Sequence, residues 1–106
     1  MGALNRHGWV VCAALLAASA GVQAADGEAL FTSKACAVCH GAQGKAPIMP
    51  TYPKLAGQNG EYLVNQTKDI RDGKRSSGQA AVMRAAVAAV TDEEIAAIAG
   101  YLAAVE

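Results

Sequence analysis

One C-x-x-C-H sequence, from Cys36 to His40, constrains the fold of this chain more than any other feature. Two thiols separated by two residues can reach the two vinyl groups of one porphyrin, and the adjacent histidine then falls beneath the iron. The motif therefore predicts one covalent haem c, attached at Cys36 and Cys39, with His40 as an iron ligand. It also predicts a domain whose helices wrap around a large flat group, which supplies part of the core.

The first 24 residues differ in composition from the rest. Arg6 and His7 precede a short apolar run that ends in small residues and Val22-Gln23-Ala24, a pattern typical of a secretory signal peptide with its cleavage site. We therefore predict a cleaved signal peptide over 1–24, a single domain over 25–106 and a periplasmic location. The apolar run is short for a membrane span and no second one follows it. We expect a protein that is not integral to the membrane, with a retained anchor as the alternative.

Other uses of the two cysteines are disfavoured by what surrounds them. A redox-active C-x-x-C sequence belongs with a thioredoxin-like βαβ pattern, and no such pattern is present. A disulfide within the motif would close a very small loop and would add little stability. A tetrahedral zinc site needs four ligands, whereas removal of the signal peptide leaves only two cysteines and one histidine.

The rest of the chain has helical patterns and no strand-like alternation of useful length, so the predicted fold class is all-α. Three helices are predicted over 26–35, 61–72 and 79–90. A fourth begins after a capping box formed by Thr91 and Glu94, and an apolar stripe follows it to the end of the chain.

A long loop is predicted over 41–60, between the first two helices. Pro47, Pro50 and Pro53, together with four glycines, break regular structure repeatedly in this segment. Loops of this length in compact domains are usually functional, and we expect this one to wrap around the edge of the haem.

Several segments outside the motif resemble those of bacterial class I cytochromes c. They are CHGAQG at 39–44, PKLAGQ at 53–58, the turn at 73–75 and TDEEIAAIAGYLAAV at 91–105. Together they resemble one half of a periplasmic dihaem cytochrome c, and with one C-x-x-C-H sequence the second haem domain is expected to be absent. The resemblance implies a small cytochrome c fold, in which Gly27 and Phe31 of the first helix pack against Tyr101 of the last.

The resemblance also implies which residues surround the haem. Pro53 and Leu55 match positions of the haem wall, with ordinary turn chemistry as the alternative for the proline. Pro47 or Pro50 is expected to lie beside the proximal imidazole.

Six-coordinate iron needs a second axial ligand, and the domain over 25–106 has only one histidine. Met49 and Met83 are the candidates, since a neutral thioether favours ferrous iron and suits electron transfer. Met83 lies more than forty residues after His40, which leaves the chain room to go around the porphyrin, whereas Met49 lies only nine residues after it. The resemblance implies that the ligand is Met83, shortly before the last helix. The alternatives are a lysine or an open position.

Polar and charged residues give weaker indications. Tyr52 and Gln66 are candidates to donate hydrogen bonds to a haem propionate, with ordinary surface or core roles as the alternative. Nine basic residues balance nine acidic ones, so no nucleic-acid partner is expected. Six cations are candidates for a docking surface, but in a near-neutral chain we expect scattered, solvated charges: Lys45, Lys54, Lys68, Lys74, Arg75 and Arg84.

These features predict an electron carrier without substrate chemistry of its own. The domain has no second histidine, and no paired acid and base stand out. We expect its partners to be periplasmic or membrane-bound redox proteins of a respiratory chain, such as an oxidase, a reductase or a dehydrogenase. Two alternatives stay open: a haem subunit of a larger redox enzyme, and a gas-binding haem module with an open distal position.

Overall fold

The computed structural model describes residues 24–106, which form five α-helices and one 3₁₀ turn. The helices are α1 (Ala24–Ser33), α2 (Cys36–His40), α3 (Gly60–Arg71), α4 (Ala80–Val87) and α5 (Asp92–Ala103), and the 3₁₀ turn is Ala42–Gly44. No strand occurs within this range, which confirms the all-α prediction. No helix within it is long and apolar enough to cross a membrane. The predicted signal peptide, 1–24, lies outside the described residues except for Ala24, which begins α1.

The observed helix bounds differ from the predicted ones mainly where the backbone turns. The first helix ends at Ser33 rather than at 35, because Ala35 adopts a left-handed conformation with φ 63°. The C-x-x-C-H segment then forms the separate helix α2, whose five residues are too few for periodicity to reveal. The helix predicted over 79–90 ends at Val87, in a turn where the Val90 N–H donates to the Val87 carbonyl at 3.0 Å.

Helices α1 and α5 cross with their main chains in contact at Gly27. A Cβ atom on Gly27 would lie against the Ala97 carbonyl, 2.7 Å from its carbon, and 2.8 Å from Tyr101 Cβ. Beside this contact, the Phe31 and Tyr101 rings are 6.1 Å apart between centroids and tilted by 54°. Phe31 is buried almost completely. The packing that the resemblance implied for these residues is therefore observed.

We expect Gly27→Ala to destabilise the protein, because the added methyl group has no space and overpacking of this kind typically costs about 1–3 kcal/mol. Gly100→Ala is a matched control in α5, since nothing lies within 4 Å of its Cβ position. That alanine is expected to stabilise the helix by about 0.5–1 kcal/mol. Urea unfolding of the holoprotein, followed by circular dichroism, measures both changes. Equal effects of the two substitutions would contradict the close crossing.

Helix α5 begins with the predicted capping box. The Glu94 N–H donates to Thr91 Oγ1 at 3.2 Å, and the Thr91 N–H donates to Glu94 Oε1 at 3.0 Å. Glu94 also forms an ion pair with Lys34 Nζ at 3.3 Å, which connects α5 to the chain just after α1. The hydrogen bond from the Thr91 backbone, helped by Lys34, holds the pKa of Glu94 below its usual value.

The lowered pKa of Glu94 predicts an acid-dependent loss of stability. Its contribution is complete above the pKa of the unfolded chain, near 4.5, and disappears as the pH falls through the lower folded value. We therefore expect Glu94→Gln to lower the Tm of the holoprotein at neutral pH and to change it progressively less as the pH falls below about 4.5. Glu93→Gln, in the same first turn of α5, is the control for the loss of one carboxylate. The explanation is wrong if both substitutions lower the Tm equally at neutral pH.

The apolar core is divided into two clusters that meet at α3 and α5. One cluster joins α3, α4 and α5 through Ile70, Val87, Val90 and Ile95, with Met83 partly buried against it. The other joins α1, α3 and α5 through Phe31, Leu63, Ala99 and Leu102, with Leu55 partly buried against it. Because both clusters share α3 and α5, these two helices set the spacing of the other elements.

Arg71, the last residue of α3, holds the junction between α4 and α5. Its Nη1 donates to the Val90 carbonyl at 3.0 Å and lies 2.7 Å from Asp92 Oδ1. Hydrogen bonds with Asp72 and Asp92 raise the pKa of the guanidinium further above its usual range, so Arg71 stays cationic. This side chain therefore fixes the end of α4 against α3.

Candidate haem site

The five helices surround a cavity of about 680 Å³. Each helix contributes to its lining, and so does the segment between α2 and α3. Most of the lining is apolar and comes from both core clusters, including Phe31, Leu55, Leu63, Ile70, Val87 and Leu102. Cofactor sites are mostly apolar and typically measure about 300–1,000 Å³, so this cavity has the size and character of one.

The two cysteines of the C-x-x-C-H segment lie on the cavity wall. Cys36 and Cys39 are half-buried in α2, and both line the cavity. Burial raises the pKa of the Cys36 thiol above its usual value. Redox-active C-x-x-C pairs depend on a lowered thiol pKa, which makes a thioredoxin-like role a poor fit.

His40 ends α2 and is buried, with 6% of its surface exposed. Its Nδ1 lies 2.9 Å from the carbonyl oxygen of Pro53. A carbonyl only accepts hydrogen bonds, so Nδ1 carries the proton and donates it, and Nε2 carries the lone pair. His40 lines the cavity. The chain thus holds a nitrogen suited to bind a metal in a fixed ring orientation.

Main-chain hydrogen bonds hold the loop between α2 and α3 in place. The Ile48 N–H donates to the Cys39 carbonyl at 3.1 Å, and the Leu55 N–H donates to the Gly44 carbonyl at 2.9 Å. At the far end of the loop, the Gly57 N–H donates to the Leu102 carbonyl of α5 at 2.9 Å. The loop is therefore fastened to the motif, to itself and to α5.

Of the three prolines in this loop, Pro53 lies beside the imidazole of His40. The expectation that Pro47 or Pro50 would do so is wrong, since the contact comes from Pro53 and neither of the others lines the cavity. Pro53 and Leu55 both line the cavity. The group that contacts the imidazole is the main-chain carbonyl of Pro53. Every residue has such a carbonyl, so the positions of the prolines in the sequence could not predict which of them makes the contact.

The two methionines in the described part of the chain have different surroundings. Met83 lines the cavity and packs, partly buried, on the cluster that contains Ile70 and Val87. Met49 is 43% exposed and does not line the cavity. Among residues 24–106, Met83 is therefore the methionine that shares the cavity with His40.

The cavity wall carries positive side chains and no negative ones. Every Asp and Glu of the chain lies within residues 24–106, and none of them lines the cavity. The lining cations are Lys34, which pairs with Glu94, and Lys54 and Arg75. A cavity of this kind suits a ligand with an apolar body and anionic substituents.

This sorting of charge follows from the sequence. The segments 29–60 and 73–91 contain six cations and no carboxylate. The cations of α3, Lys68 and Arg71, pair instead with Asp92 and Asp72. These two segments, both of which contribute to the cavity wall, are therefore basic, although the protein as a whole is nearly neutral.

Arg75 is a lining residue that the sequence pattern placed among solvated surface charges. Its Nη1 donates to Gln66 Oε1 at 3.0 Å, and Gln66 also lines the cavity. Tyr52, the other polar candidate, lines the cavity with its ring centroid 6.4 Å from that of His40. For Arg75, the sequence offers one relevant signal: a glycine directly after a helix, here Gly73, indicates that the chain reverses. That signal does not predict on which side of α3 the Arg75 side chain lies.

The cytochrome c family model matches residues 24–106. This chain belongs to the cytochrome c family. It is 42% identical over 71 residues to cytochrome c-554(548) of Halomonas halodenitrificans, which covers 67% of this chain and 84% of that relative. It is 39% identical over 101 residues to the thiosulfate dehydrogenase electron acceptor of Stutzerimonas stutzeri, which covers 89% of this chain and 44% of that relative.

The fold of this cytochrome c is similar to the crystal structure of reduced recombinant cytochrome c4 from Pseudomonas stutzeri. The TM-score is 0.66 at 28% sequence identity, and the similarity covers 78% of this chain and 48% of that chain. The predicted cytochrome c fold is therefore confirmed. The chain spans less than half the length of the electron acceptor and of the cytochrome c4 chain.

Membership of the family confirms the predicted cofactor, covalently bound haem c, and a role in electron transfer. Cys36, Cys39 and His40 fit the C-x-x-C-H motif of such proteins. The cavity fits the same group. Its apolar walls suit a porphyrin, and its cations, without carboxylates, suit the two propionates.

Proposed function

We propose that this cytochrome c is exported to the periplasm and carries one electron on a single haem c, with His40 and Met83 as axial ligands. The observation that carries the proposal is that His40, with Nε2 suited to bind iron, and Met83 line the same cavity as Cys36 and Cys39. The lining includes no further histidine or methionine from the described part of the chain.

Each of these residues has a distinct part in the proposed function. When bound, the haem supplies an iron that alternates between the ferrous and ferric states. Cys36 and Cys39 hold it through thioether bonds. The Pro53 carbonyl accepts the hydrogen bond from His40 Nδ1, which fixes the ring and makes Nε2 a stronger donor. The soft, neutral thioether of Met83 favours the ferrous state and so raises the potential.

The apolar wall also favours electron transfer over substrate chemistry. Leu55 and the core side chains around it make the cavity wall largely apolar, which favours the less charged form of the iron. No carboxylate among residues 24–106 lines the cavity, and its one histidine is the proposed iron ligand, so no carboxylate or second histidine is at hand for proton transfer to a substrate. We therefore propose a carrier rather than an enzyme.

The proposed partners are redox proteins in the periplasm or at the membrane, such as an oxidase, a reductase or a dehydrogenase. The relative in Stutzerimonas stutzeri is named as the electron acceptor of a thiosulfate dehydrogenase. That name supports exchange of electrons with a separate enzyme.

Substitution of Met83 tests the axial ligand. The native ferrous protein is expected to be low-spin and unchanged by carbon monoxide, because both axial positions are taken. Met83→Ala is expected to abolish the sulfur-to-iron charge-transfer band of the ferric protein, and to let the ferrous protein bind carbon monoxide. Absorption spectra of the purified holoproteins in both oxidation states measure these changes.

Met49→Leu is the matched control, since Met49 lies outside the cavity and should leave the charge-transfer band intact. Loss of the band in Met49→Leu, with retention in Met83→Ala, would assign the ligand to Met49. Ready binding of carbon monoxide by the native protein would contradict electron transfer through a six-coordinate haem and would favour a gas-binding module.

Export can be tested on the mature protein. We expect the periplasmic fraction to contain a chain that begins at Ala25, with an intact mass increased by one haem c, because the predicted cleavage follows Ala24. Intact-mass spectrometry of the purified protein measures both values. A full-length chain that stays with the membrane fraction would show that the segment 1–24 is a retained anchor.

A further inference from the structure

Helix α4 carries Met83, and few of its side chains fasten it to the rest of the molecule. It has only eight residues, four of which are alanine. It packs mainly against α3. Ala80 and Val87 are buried in it, whereas Val82 is 63% exposed. The position of α4, and with it the position of Met83, therefore depends on a small number of contacts with α3.

One of these contacts comes from Arg84, the residue directly after Met83. A Cβ atom on Gly73 would lie 3.0 Å from Arg84 Cζ, 3.1 Å from its Nη2 and 3.2 Å from its Nη1. Because the guanidinium is planar and the three distances are nearly equal, its flat face, rather than its N–H edge, lies over Gly73. Arg84 is exposed as a whole, so the contact is made by the end of its side chain.

The backbone at the end of α3 gives this guanidinium a flat surface to lie on. The Gly73 N–H donates to the Ile70 carbonyl at 3.2 Å, and the Lys74 N–H donates to the Asp69 carbonyl at 2.8 Å. These two hydrogen bonds, with φ 78° at Gly73, form a Schellman motif. Glycine is needed here for two reasons: the backbone is left-handed, and a Cβ atom would take the space of the guanidinium.

The end of α3 is also a favourable place for a positive charge. The last carbonyls of a helix form the negative end of its dipole, and a cation beside them is stabilised. Gly73 directly follows Asp72, the C-cap residue of α3, so the guanidinium of Arg84 lies at this end of the dipole. Both its charge and its flat shape therefore favour contact between α4 and α3.

A second arginine fastens the same two helices in the opposite direction. Arg71, the last residue of α3, donates to the carbonyl of Val90 in the turn after α4. Arg84 reaches from α4 back to the turn after α3. Met83 and Arg84 are neighbours in the same turn of α4, so a movement of α4 that breaks the Arg84 contact also moves Met83.

We infer that Arg84 is a positioning residue for the proposed axial ligand: its contact with Gly73 holds α4 against α3 and so keeps Met83 on the iron. The inference rests on the proposed ligation by Met83. Without the contact, α4 separates from α3 more often, and the fraction of molecules with an open sixth position rises. An external ligand binds only to that fraction, so its apparent affinity measures how firmly Met83 is held.

Titration of the ferric holoprotein with imidazole, followed by loss of the sulfur-to-iron charge-transfer band, tests the inference. Arg84→Gln is expected to raise the apparent affinity for imidazole by about two- to fivefold, an effect typical of one cation at the end of a helix. Arg84→Lys keeps the charge without the flat face, so its affinity should lie between the two. Lys74→Gln is the matched control, since it removes one positive charge from the same turn and leaves Arg84 in place. We expect it to have the native affinity.

Gly73→Ala tests the contact from the other side. The substitution adds a methyl group where the guanidinium lies, and it also strains the left-handed backbone. We expect it to raise the affinity for imidazole in the native chain, and to raise it much less in the Arg84→Gln chain, where no guanidinium is displaced. Equal effects in the two chains would mean that Gly73 and Arg84 act independently, which contradicts the contact.

A further control separates the positioning of Met83 from overall stability. Glu94→Gln weakens the capping box of α5 and should lower the Tm without a change in imidazole affinity. If Arg84→Gln also lowers only the Tm, the positioning role is wrong and the ligation by Met83 stands. If the native ferric protein lacks the charge-transfer band, or if Met83→Ala retains it, the proposed ligation itself fails.

Discussion

The contact between α1 and α5 at Gly27 fixes the geometry on which the haem site depends. From that crossing, α1 runs through Phe31 into the C-x-x-C-H segment, while α5 carries Ala99 and Leu102 into the cavity wall. Any change in the separation of the two helices would move the cysteines relative to that wall. Because the contact is between main-chain atoms, neighbouring side chains cannot repack to relieve a change there.

The loop between α2 and α3 shows how a segment without regular structure can take part in a precise site. Its prolines and glycines prevent a continuous helix, and its main-chain hydrogen bonds go to Cys39, Gly44 and Leu102 instead. The Pro53 carbonyl, with no helical partner to satisfy, is left to accept the proton of His40 Nδ1. In a regular helix this carbonyl would have accepted a hydrogen bond from a main-chain N–H, whereas in the loop it is available to His40.

Much of this molecule could be predicted from local sequence rules. The C-x-x-C-H spacing indicated the cofactor, and the capping box at Thr91 indicated the start of α5, because both are short-range patterns with a direct chemical cause. The end of α1 could not be predicted, because Ala35 adopts the left-handed conformation that is usually signalled by a glycine in the sequence. Local sequence could not predict the hydrogen-bond partner of His40 or the orientation of Arg75 either, because each depends on how separate segments of the chain pack together.

The separation of charges along the chain has a consequence for how the protein meets other molecules. Its formal net charge is zero, yet the segments 29–60 and 73–91 are basic, and none of the carboxylates lines the cavity. A neutral molecule whose charges are distributed unevenly has an electric dipole, and the field of another protein exerts a torque on it. Its rate of productive encounter would then depend on ionic strength through orientation, even where net attraction between the two molecules is absent.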